Sequence, residues 1–396
     1  TIKGKSIMTS IKKILVLPPV RLNVKTGGPE AVVKLMYQAD PKNFEYILDS
    51  GAKNKENPLL NKVKKLIKST LLKNIWIRII YLYLRNLYLI RKRISTIKSA
   101  DIIISHQIFL THLLLKIFPN KKIITITHSQ GSSYSELTDL NQCSKSKLAK
   151  KYLDKMETII YKRVYKFGFP SRGAEECLIK TNPSLKFIKK LNNKHILYNG
   201  INTKIINQES KTSELTDIIT PDKIIFCTVC DLSYAKGVER VPAFLKKLKD
   251  KRIEFQWILI GNGKTEELIE KEIRRHNIKE NTHWFKKRFL HEEIITLFRN
   301  SDFYILFHRH SIFDLAILEA MYCETIPVLS NIGGNKEMNL KNNAILLNQL
   351  DNIQPILDLI NNRERMEMLK KLNKKLVERE FNLNKFINRY QRLISE

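Results

Sequence analysis

Cysteine is scarce in this 396-residue sequence, which contains only Cys143, Cys177, Cys227, Cys230 and Cys323. Five scattered cysteines cannot build the disulfide framework of a small secreted protein, so we expect a reducing compartment. The spacing Cys227-Thr-Val-Cys230 has the form of a redox or zinc motif. It lies in an apolar run and has no second pair, so we interpret it as the interior of a strand.

Acidic residues are also few, since 39 Asp and Glu face 70 Lys and Arg, which gives a net charge of +31. This imbalance favours an anionic partner: nucleic acid, an acidic membrane surface or a phosphorylated substrate. The basic residues are spread along the whole chain, and part of the charge reflects a composition rich in Lys, Ile and Asn. The length is sufficient for two α/β domains, each with its own core.

Long uninterrupted apolar runs are missing. Residues 11–20 are too short, and too soon broken by prolines, to be a secretory signal peptide. The most apolar stretch, within residues 57–100, is interrupted by Lys73, Arg78 and Arg85. A helix that spans a bilayer needs about 20 predominantly apolar residues, so we do not expect this stretch to cross a membrane.

Residues 57–100 contain no Asp or Glu but eleven Lys and Arg. Arg78, Arg85 and Lys92 recur at every seventh position, which places them on one face of a helix. Residues 61–98 therefore suit the surface of an anionic bilayer, with Trp and Tyr at the headgroup level. The alternative is a helical insert packed on the first domain with a solvated basic edge. The stretch is too apolar for a nucleic-acid groove, so we expect no nucleic acid.

The segment 302–338 has the pattern of a nucleotide-binding α/β unit. Its apolar run at 303–307 predicts a buried strand, and Ser311-x-x-Asp314 predicts a capping box for the helix Leu315–Tyr322. This helix is apolar and expected to be buried, although it carries the acid Glu319. Residues 325–330 predict a second strand, and Gly333-Gly334 a turn whose backbone N–H groups approach a ligand closely.

Two stretches of this segment, SIFDLAILEAM at 311–321 and IPV at 326–328, resemble the signature of the retaining GT-B glycosyltransferases of family 4. That signature is Glu, seven residues, Glu, then Ala-Met and a Pro-Val strand. The first glutamate of the family is Ser311 here, which alters the expected surroundings of the donor sugar. The resemblance implies that Glu319 accepts hydrogen bonds from the nucleotide ribose. It also implies that backbone N–H groups of Ser311, Ile312, Phe313 and Asp314 lie at the donor phosphates.

Two further loops of the second half match the family. The family loop Gly-Arg-Leu-x-x-x-Lys-Gly corresponds to CDLSYAKG at 230–237, so Lys236 is expected to hold the donor diphosphate. Asp231 replaces the arginine of this loop, and Arg288, Arg309 or a neighbouring histidine would have to compensate. Gly261-Asn-Gly263 matches the Gly-x-Gly turn of the family and adds Gly261 to the expected donor site.

The first 200 residues resemble the family at fewer places. Gly27 and Gly28 precede a helix that starts at Pro29, where they would border the donor diphosphate. His128 follows a predicted strand at 123–127, and ligands of open α/β sheets bind at such strand ends. The resemblance makes His128 the active-site candidate of this half, and His106, at the end of the preceding strand, is a second candidate.

The resemblance implies a GT-B fold, with two Rossmann-like domains facing across a cleft. We expect an acceptor domain at 1–202, a nucleotide-sugar domain at 203–375 and a last helix at 376–396 that crosses back to the first. The expected catalytic residues are His128, Lys236 and Glu319. No Asp-x-Asp pair occurs in the sequence, so no metal is expected, and the nucleotide-diphosphate sugar, a UDP-sugar, is a substrate rather than a cofactor.

The implied activity is a retaining, metal-independent hexosyl transfer to a glycan or lipid-linked hydroxyl in cell-envelope polysaccharide or lipopolysaccharide synthesis. We expect the protein in the cytoplasm, with peripheral contact to the inner face of the cell membrane. Two alternatives stay open. One is a nucleotide-sugar epimerase on the same fold, and the other is a catalytically decayed basic protein that binds membrane or nucleic acid, which the replacements at Ser311 and Asp231 would favour.

Overall fold

The structure, a computed structural model, describes residues 13–21, 29–49, 71–140, 142–207 and 214–395. Gly27 and Gly28 lie outside the described residues, as do residues 57–70 of the basic segment. By its internal contacts the chain divides into two compact units. The first unit comprises Thr1–His128, Cys143–Gly168 and Phe187–His195, and the second comprises Ser129–Gln142, Phe169–Lys186 and Ile196–Glu396.

The first sheet has six strands in the order β2-β1-β3-β4-β5-β6. They are β1 Ile14–Arg21, β2 Glu45–Asp49, β3 Ile102–Ser105, β4 Lys122–Ile126, β5 Lys166–Phe169 and β6 Lys194–Ile196. The pairings β1–β2, β1–β3, β3–β4 and β4–β5 are parallel. The isoleucines of β3 and those at 123 and 124 are at most 2% exposed, as expected for parallel strands with both faces covered.

The second sheet also has six strands, all parallel, in the order β12-β11-β10-β7-β8-β9. They are β7 Ile224–Val229, β8 Phe255–Ile260, β9 Thr282–Phe285, β10 Phe303–Leu306, β11 Ile326–Ser330 and β12 Ile345–Leu347. Phe226 and Phe303 stack across β7 and β10 with ring centroids 5.2 Å apart. Trp257 on β8 is fully buried, and its indole N–H donates to Thr228 Oγ at 3.0 Å. Of the Cys227-Thr-Val-Cys230 segment, Cys227 lies inside β7 as expected, whereas Cys230 follows the end of the strand.

The helices connect and cover these strands. In chain order, the α-helices are Pro29–Ala39, Ile75–Lys92, Ile94–Ser99, Ile108–Ile117, Ser133–Ser135, Lys147–Arg163, Arg172–Thr181, Thr203–Ile206, Glu214–Asp217, Val241–Asp250, Glu266–Arg275, His291–Arg299, Leu315–Tyr322, Asn335–Met338, Gln354–Ile360, Arg363–Glu380 and Leu383–Ser395. Short 3₁₀ segments span Pro183–Lys190, Val238–Arg240 and Lys279–Asn281, and Glu136–Leu140 is a π-helix.

Each sheet has a point where the chain changes its direction of travel across the strands. In the first sheet this switch point lies between β1 and β3, and in the second it lies between β7 and β10. Loops that leave adjacent strands at a switch point diverge to opposite faces of the sheet, which opens a crevice at the carboxyl ends of the strands. The two crevices are therefore where ligands are expected.

The described part of the basic segment forms the helix Ile75–Lys92, whose first turn is capped by Asn74. One face packs on the helix Ile108–Ile117, where Tyr83 O–H contacts His112 Nδ1 at 2.5 Å. The other face leaves Ile80 and Leu84 more than half exposed. The helix is therefore packed along one face, while its contact with a membrane stays a prediction. Among the described residues, no helix combines the length and apolar character needed to cross a bilayer.

Candidate functional site

The loop at 230–237 is fixed between two strand ends at the switch point of the second sheet. Gly261 has φ +151° and Gly237 has φ +64°, conformations that favour glycine. A Cβ at Gly261 would collide with Cys230 O, and one at Gly237 would collide with Phe307 O. Both glycines thus let backbone segments touch, which positions Lys236. The close packing on Cys230 O explains why residue 261 is glycine, and its contact with a donor stays a prediction.

Lys236 forms a buried ion pair with Asp314, and both side chains are only about one-sixth exposed, at 15% and 16%. His308, which is 2% exposed and follows β10, places its Nε2 3.4 Å from the same carboxylate oxygen. Asp314 also accepts the N–H of Ala316 at 3.2 Å and so caps the helix Leu315–Tyr322. One carboxylate thereby joins the lysine, the histidine and a helix N-terminus.

The ionisation of this cluster follows from its contacts. Burial alone would raise the pKa of Asp314, but the charge of Lys236 and the hydrogen bond of His308 outweigh it and lower the pKa. Burial opposes the charge on Lys236, yet the attraction of Asp314 raises the pKa of that ammonium above its ordinary value. Burial lowers the pKa of His308. At neutral pH the cluster therefore contains an ion pair and a neutral imidazole.

The predicted capping box is wrong, because Ser311 does not cap the helix. Its hydroxyl donates to Asn335 Oδ1 at 2.6 Å, and the amide of the fully buried Asn335 donates to Ser330 O at 2.9 Å. The cap is Asp314 instead. Ser311 thus joins the segment after β10 to the loop after β11, so the residue that replaces the family glutamate has a structural partner.

The glycine turn after β11 differs from its prediction as well. Gly334 N–H donates to Ser311 O at 3.0 Å, so this group serves the protein rather than a ligand. A Cβ at Gly333 would collide with Ser311 O, and one at Gly334 with Ile312 O. The two glycines are needed because the turn packs directly on the segment 311–312.

The segment 311–314 is anchored through its carbonyl groups. Ser171 Oγ donates to Ile312 O, and Asn199 Nδ2 donates to Phe313 O at 3.1 Å. The Phe313 ring is buried against Tyr198 and Phe381. Within the described chain, none of the four N–H groups of residues 311–314 donates to a protein acceptor. Runs of backbone N–H groups without protein acceptors at a helix N-terminus are typical of anion sites.

Glu319 lies on the same helix as the cap Asp314. The sequence predicted that Glu319 is buried, but its side chain is 22% exposed. Its Oε1 lies 3.0 Å from Nε2 of His291, the first residue of the helix His291–Arg299. The imidazole thus stabilises the carboxylate and leaves its second oxygen to accept further hydrogen bonds.

The two loops that meet at this switch point carry equal numbers of opposite charges. Residues 230–240 and 307–314 contain three cations and three carboxylates: Lys236, Arg240, Arg309, Asp231, Glu239 and Asp314. Arg309 pairs with Glu239 and lies over the Tyr234 ring at 3.8 Å, so it does not replace the missing family arginine at Asp231. Arg288 is exposed. Despite the net charge of +31 of the chain, these two loops together carry no net formal charge.

The first unit places the two candidate histidines together. His106 follows β3, His128 follows β4, and His106 Nδ1 lies 2.8 Å from His128 Nε2. Their rings stack with an interplanar angle of 12°. Burial lowers the pKa of His128 to about 4, and burial together with the neighbouring histidine lowers that of His106. Both rings are therefore neutral at pH 7, and an N–H of one ring donates a hydrogen bond to the unprotonated nitrogen of the other.

Sequence reasoning missed His308 and Asn335 as members of the site. His308 follows β10 at the switch point, and the strand-end rule that selected His128 could have found it. Nothing in the sequence marks Asn335. In the described part of the chain, no group of three or more His, Cys, Asp and Glu side chains could hold a metal ion.

The site lies within a region that is similar to a known family. Residues 215–380 match the glycosyl transferases group 1 family. This group 1 match covers β7 to β12 and contains Lys236, His308, Asp314 and Glu319. No curated protein sequence matches the chain.

Solved structures share the fold over the whole chain at low sequence identity. Sucrose-phosphate synthase from Thermosynechococcus elongatus is 15% identical, with a TM-score of 0.67, and covers 97% of this chain and 98% of its own. Anabaena HepE, solved with UDP and glucose, is 14% identical with a TM-score of 0.67, and the match covers 97% of this chain and 100% of the HepE chain. The N-terminal domain of Candida albicans trehalose-6-phosphate phosphatase is 16% identical with a TM-score of 0.70, and the match covers 100% of this chain and 99% of that domain's chain. The prediction of a two-domain α/β fold of the GT-B type is confirmed.

Proposed function

We propose that the protein is a glycosyltransferase that binds the diphosphate of a nucleotide sugar at the switch point of its second unit. The observation that carries this proposal is the row of four N–H groups at residues 311–314, which lack protein acceptors in the described chain and adjoin Lys236. The helix Leu315–Tyr322 begins there and adds the positive end of its dipole. The group 1 match over residues 215–380 supports the same activity.

The nucleoside would extend from this diphosphate along the helix toward Glu319. The carboxylate of Glu319 is held by His291 and would accept hydrogen bonds from the ribose hydroxyls. Lys236 would contact the diphosphate while it keeps Asp314 as a partner, since an ammonium has three donor hydrogens. The local charge is balanced, so we expect the backbone N–H groups to contribute more to diphosphate binding than net charge does.

The proposed reaction is a transfer with retention of configuration. The bond between the anomeric carbon and the phosphate oxygen breaks, and a bond from the acceptor oxygen forms on the same face. The departing phosphate oxygen takes the proton of the acceptor hydroxyl. Lys236 and the N–H groups at 311–314 stabilise the charge that develops on the leaving diphosphate, so neither a protein nucleophile nor a metal is required.

His128 is the proposed contact of the first unit with the reacting sugar. Its Nε2 is engaged with His106, so Nδ1 is the ring nitrogen that would meet a sugar hydroxyl. The histidine pair is neutral at pH 7 because burial lowers both pKa values. A neutral imidazole can orient a hydroxyl without placing a positive charge beside the anomeric carbon.

UDP-glucose is the first donor to test, because HepE has been solved with UDP-glucose. For the acceptor we propose a glycan or lipid-linked hydroxyl of the cell envelope, in polysaccharide or lipopolysaccharide synthesis. The helix Ile75–Lys92 supports a location at the cytoplasmic membrane surface. Its exposed face carries three large side chains: Ile80 is 55%, Leu84 60% and Tyr88 67% exposed. Apolar side chains of this kind, flanked by cations, insert at the level of lipid headgroups.

Incubation with a panel of nucleotide sugars tests the activity. We expect slow hydrolysis of one donor, and a UDP affinity that Lys236→Gln lowers about tenfold or more through the loss of a charge-assisted hydrogen bond. Lys247→Gln is the matched control, since Lys247 pairs with Asp351 on the surface of the same unit. Inversion of the sugar would indicate the epimerase, and absence of nucleotide binding would indicate the decayed scaffold. Either result contradicts the proposal.

Sedimentation with vesicles tests the membrane contact. Ile80→Ser combined with Leu84→Ser should weaken binding to anionic vesicles about tenfold or more, because burial of each side chain contributes about 1.5–3 kcal/mol. Leu148→Ser is the control, since Leu148 is 73% exposed on another helix of the first unit. Equal vesicle binding by wild type and the double variant would refute the contact.

A further inference from the structure

A second crevice lies at the switch point of the first sheet, and the proposed donor site does not use it. It is a cavity of about 240 Å³ that extends from Pro18 in β1 to Gln107, two residues after β3. Pockets that enclose drug-sized ligands measure about 300–1,000 Å³, so this cavity suits a smaller group. His106 precedes Gln107 directly, so the crevice opens at the same strand ends as the histidine pair.

The walls of this crevice are positively charged. Among the described residues that line it, Arg85, Lys92 and Arg93 are cationic, and Glu30 is the only acidic one. None of the three cations forms an ion pair within the described chain, and Arg85 makes only a long hydrogen bond of 3.4 Å to Gln107 Oε1. Within the described lining, three cations and one carboxylate leave a surplus of two positive charges, which matches a dianion.

The decisive residue is Asn86. Its side chain is 2% exposed, it lines the cavity, and its Nδ2 has no hydrogen-bond acceptor among the described residues. A buried amide donor without an acceptor costs about 1–3 kcal/mol, so a protein retains one only where something compensates. A small anion that enters the cavity and reaches Nδ2 would supply the missing acceptor.

We propose that this crevice binds the terminal phosphoryl group of a phosphate-bearing molecule, with Asn86 Nδ2, Arg85 and Lys92 as its donors. Three observations select a phosphoryl dianion: the charge surplus of two, the planar guanidinium of Arg85 and the unpartnered amide. The position at the strand ends of the histidine pair makes the ligand the acceptor substrate, an assignment that rests on the proposed function. The same chemistry is offered by a phosphorylated sugar and by a lipid phosphomonoester.

Titration with inorganic phosphate and with a hexose 6-phosphate, without any nucleotide, tests the site. Arg85→Gln combined with Lys92→Gln should lower the affinity about tenfold or more. Arg91→Gln combined with Lys98→Gln is the matched control, because both residues are exposed in the same part of the chain, line no part of the cavity and change the charge equally. Equal phosphate affinity of the two double variants overturns the proposal.

Asn86→Leu gives a second, independent outcome. The substitution removes a buried donor that lacks an acceptor, so the unfolding temperature should be unchanged or raised, while phosphate affinity falls about tenfold. A purely structural asparagine would show the opposite pattern, with a lowered unfolding temperature and unchanged phosphate affinity. That pattern would contradict the assigned role.

Vesicles distinguish the two sources of the phosphoryl group. Phosphatidic acid carries a phosphomonoester, whereas phosphatidylglycerol of equal surface charge carries only a phosphodiester. Preference for phosphatidic acid, lost in Asn86→Leu, identifies a lipid headgroup. Binding of the hexose phosphate without that preference identifies a phosphorylated sugar. Absence of both overturns the site, and because no nucleotide is present, such a failure leaves the donor site of the second unit untouched.

Discussion

The two switch points of this molecule have the same kind of sheet topology, but their cations differ in whether a carboxylate pairs with them. In the second unit the cation Lys236 has the buried partner Asp314, so its charge is already compensated within the protein. In the first unit Arg85 and Lys92 have no carboxylate partner in the described chain, and a buried amide has no acceptor. A crevice whose cation is already paired holds an anionic ligand mainly through hydrogen bonds. An uncompensated one uses the ligand itself as the missing counter-charge.

The largest expected effect is at the paired switch point. Asp314→Asn leaves Lys236 buried without its counter-charge and weakens the cap of the helix Leu315–Tyr322. Removal of one member of a buried pair costs about 3–5 kcal/mol. Urea unfolding should show this loss, whereas Asp351→Asn, which breaks the exposed pair with Lys247, should cost about 0–1 kcal/mol. Equal losses would show that the pair is not buried as described.

A titration of stability against pH examines the histidine pair next to the open crevice. The pKa of His128 is about 4 in the folded chain, below its ordinary value of 6.5, so the unfolded chain binds more protons between these values. Stability is therefore fully present above pH 6.5 and falls toward pH 4, by up to about 1.4 kcal/mol per pH unit for each such histidine.

The double variant His106→Leu/His128→Leu isolates the contribution of the pair. His112, His308 and His310 also have lowered pKa values and keep part of the slope. We expect the double variant to lose stability less steeply than wild type between pH 6.5 and 4 in urea unfolding. An unchanged slope would mean that the pair is not buried and neutral.

Added salt should weaken ligand binding at the first crevice more than at the second. Raising the ionic strength from 0.01 M to 1 M shortens the Debye length from about 30 Å to 3 Å. Phosphate affinity in the first unit should fall about tenfold, because it depends on exposed cations, whereas UDP affinity should change much less. Calorimetric titration of both ligands at two salt concentrations measures the contrast. An equal salt dependence would remove the distinction drawn between the crevices.

The smallest effect concerns the residue that replaces the family glutamate. Ser311→Ala removes the 2.6 Å hydrogen bond to the buried Asn335. The expected loss of stability is about 1–3 kcal/mol, near the lower end because Asn335 also bonds Ser330 O. Donor hydrolysis should persist if the backbone N–H groups, rather than this hydroxyl, hold the diphosphate. Loss of hydrolysis with stability intact would assign Ser311 a direct role.

Local patterns predicted the elements better than the contacts that join them. The apolar run at 303–307 and the helix Leu315–Tyr322 emerged close to their predicted bounds, because burial of both faces leaves few alternatives. The cap was missed because Ser311 and Asp314 are both good caps. The choice between them is made by Asn335, 24 residues away from Ser311.

The residues of the candidate donor site were also predicted better than the contacts between them. Lys236 and Asp314 were each expected near the diphosphate, but their pairing joins residues 78 positions apart and no local pattern reveals it. The repeat of Arg85 and Lys92 at seven residues did reveal a basic face. It could not reveal that Asn86, between them, is buried beside a cavity with an amide that lacks an acceptor among the described residues, because that depends on where β1 and β3 end.

Amide hydrogen exchange with and without UDP tests the central claim most directly. The backbone N–H groups of residues 311–314, which have no protein acceptor in the described chain, should exchange fast in the free protein and become protected when UDP binds. Lys236→Gln should reduce that protection. UDP binding that protects other segments and leaves residues 311–314 in fast exchange would contradict the account.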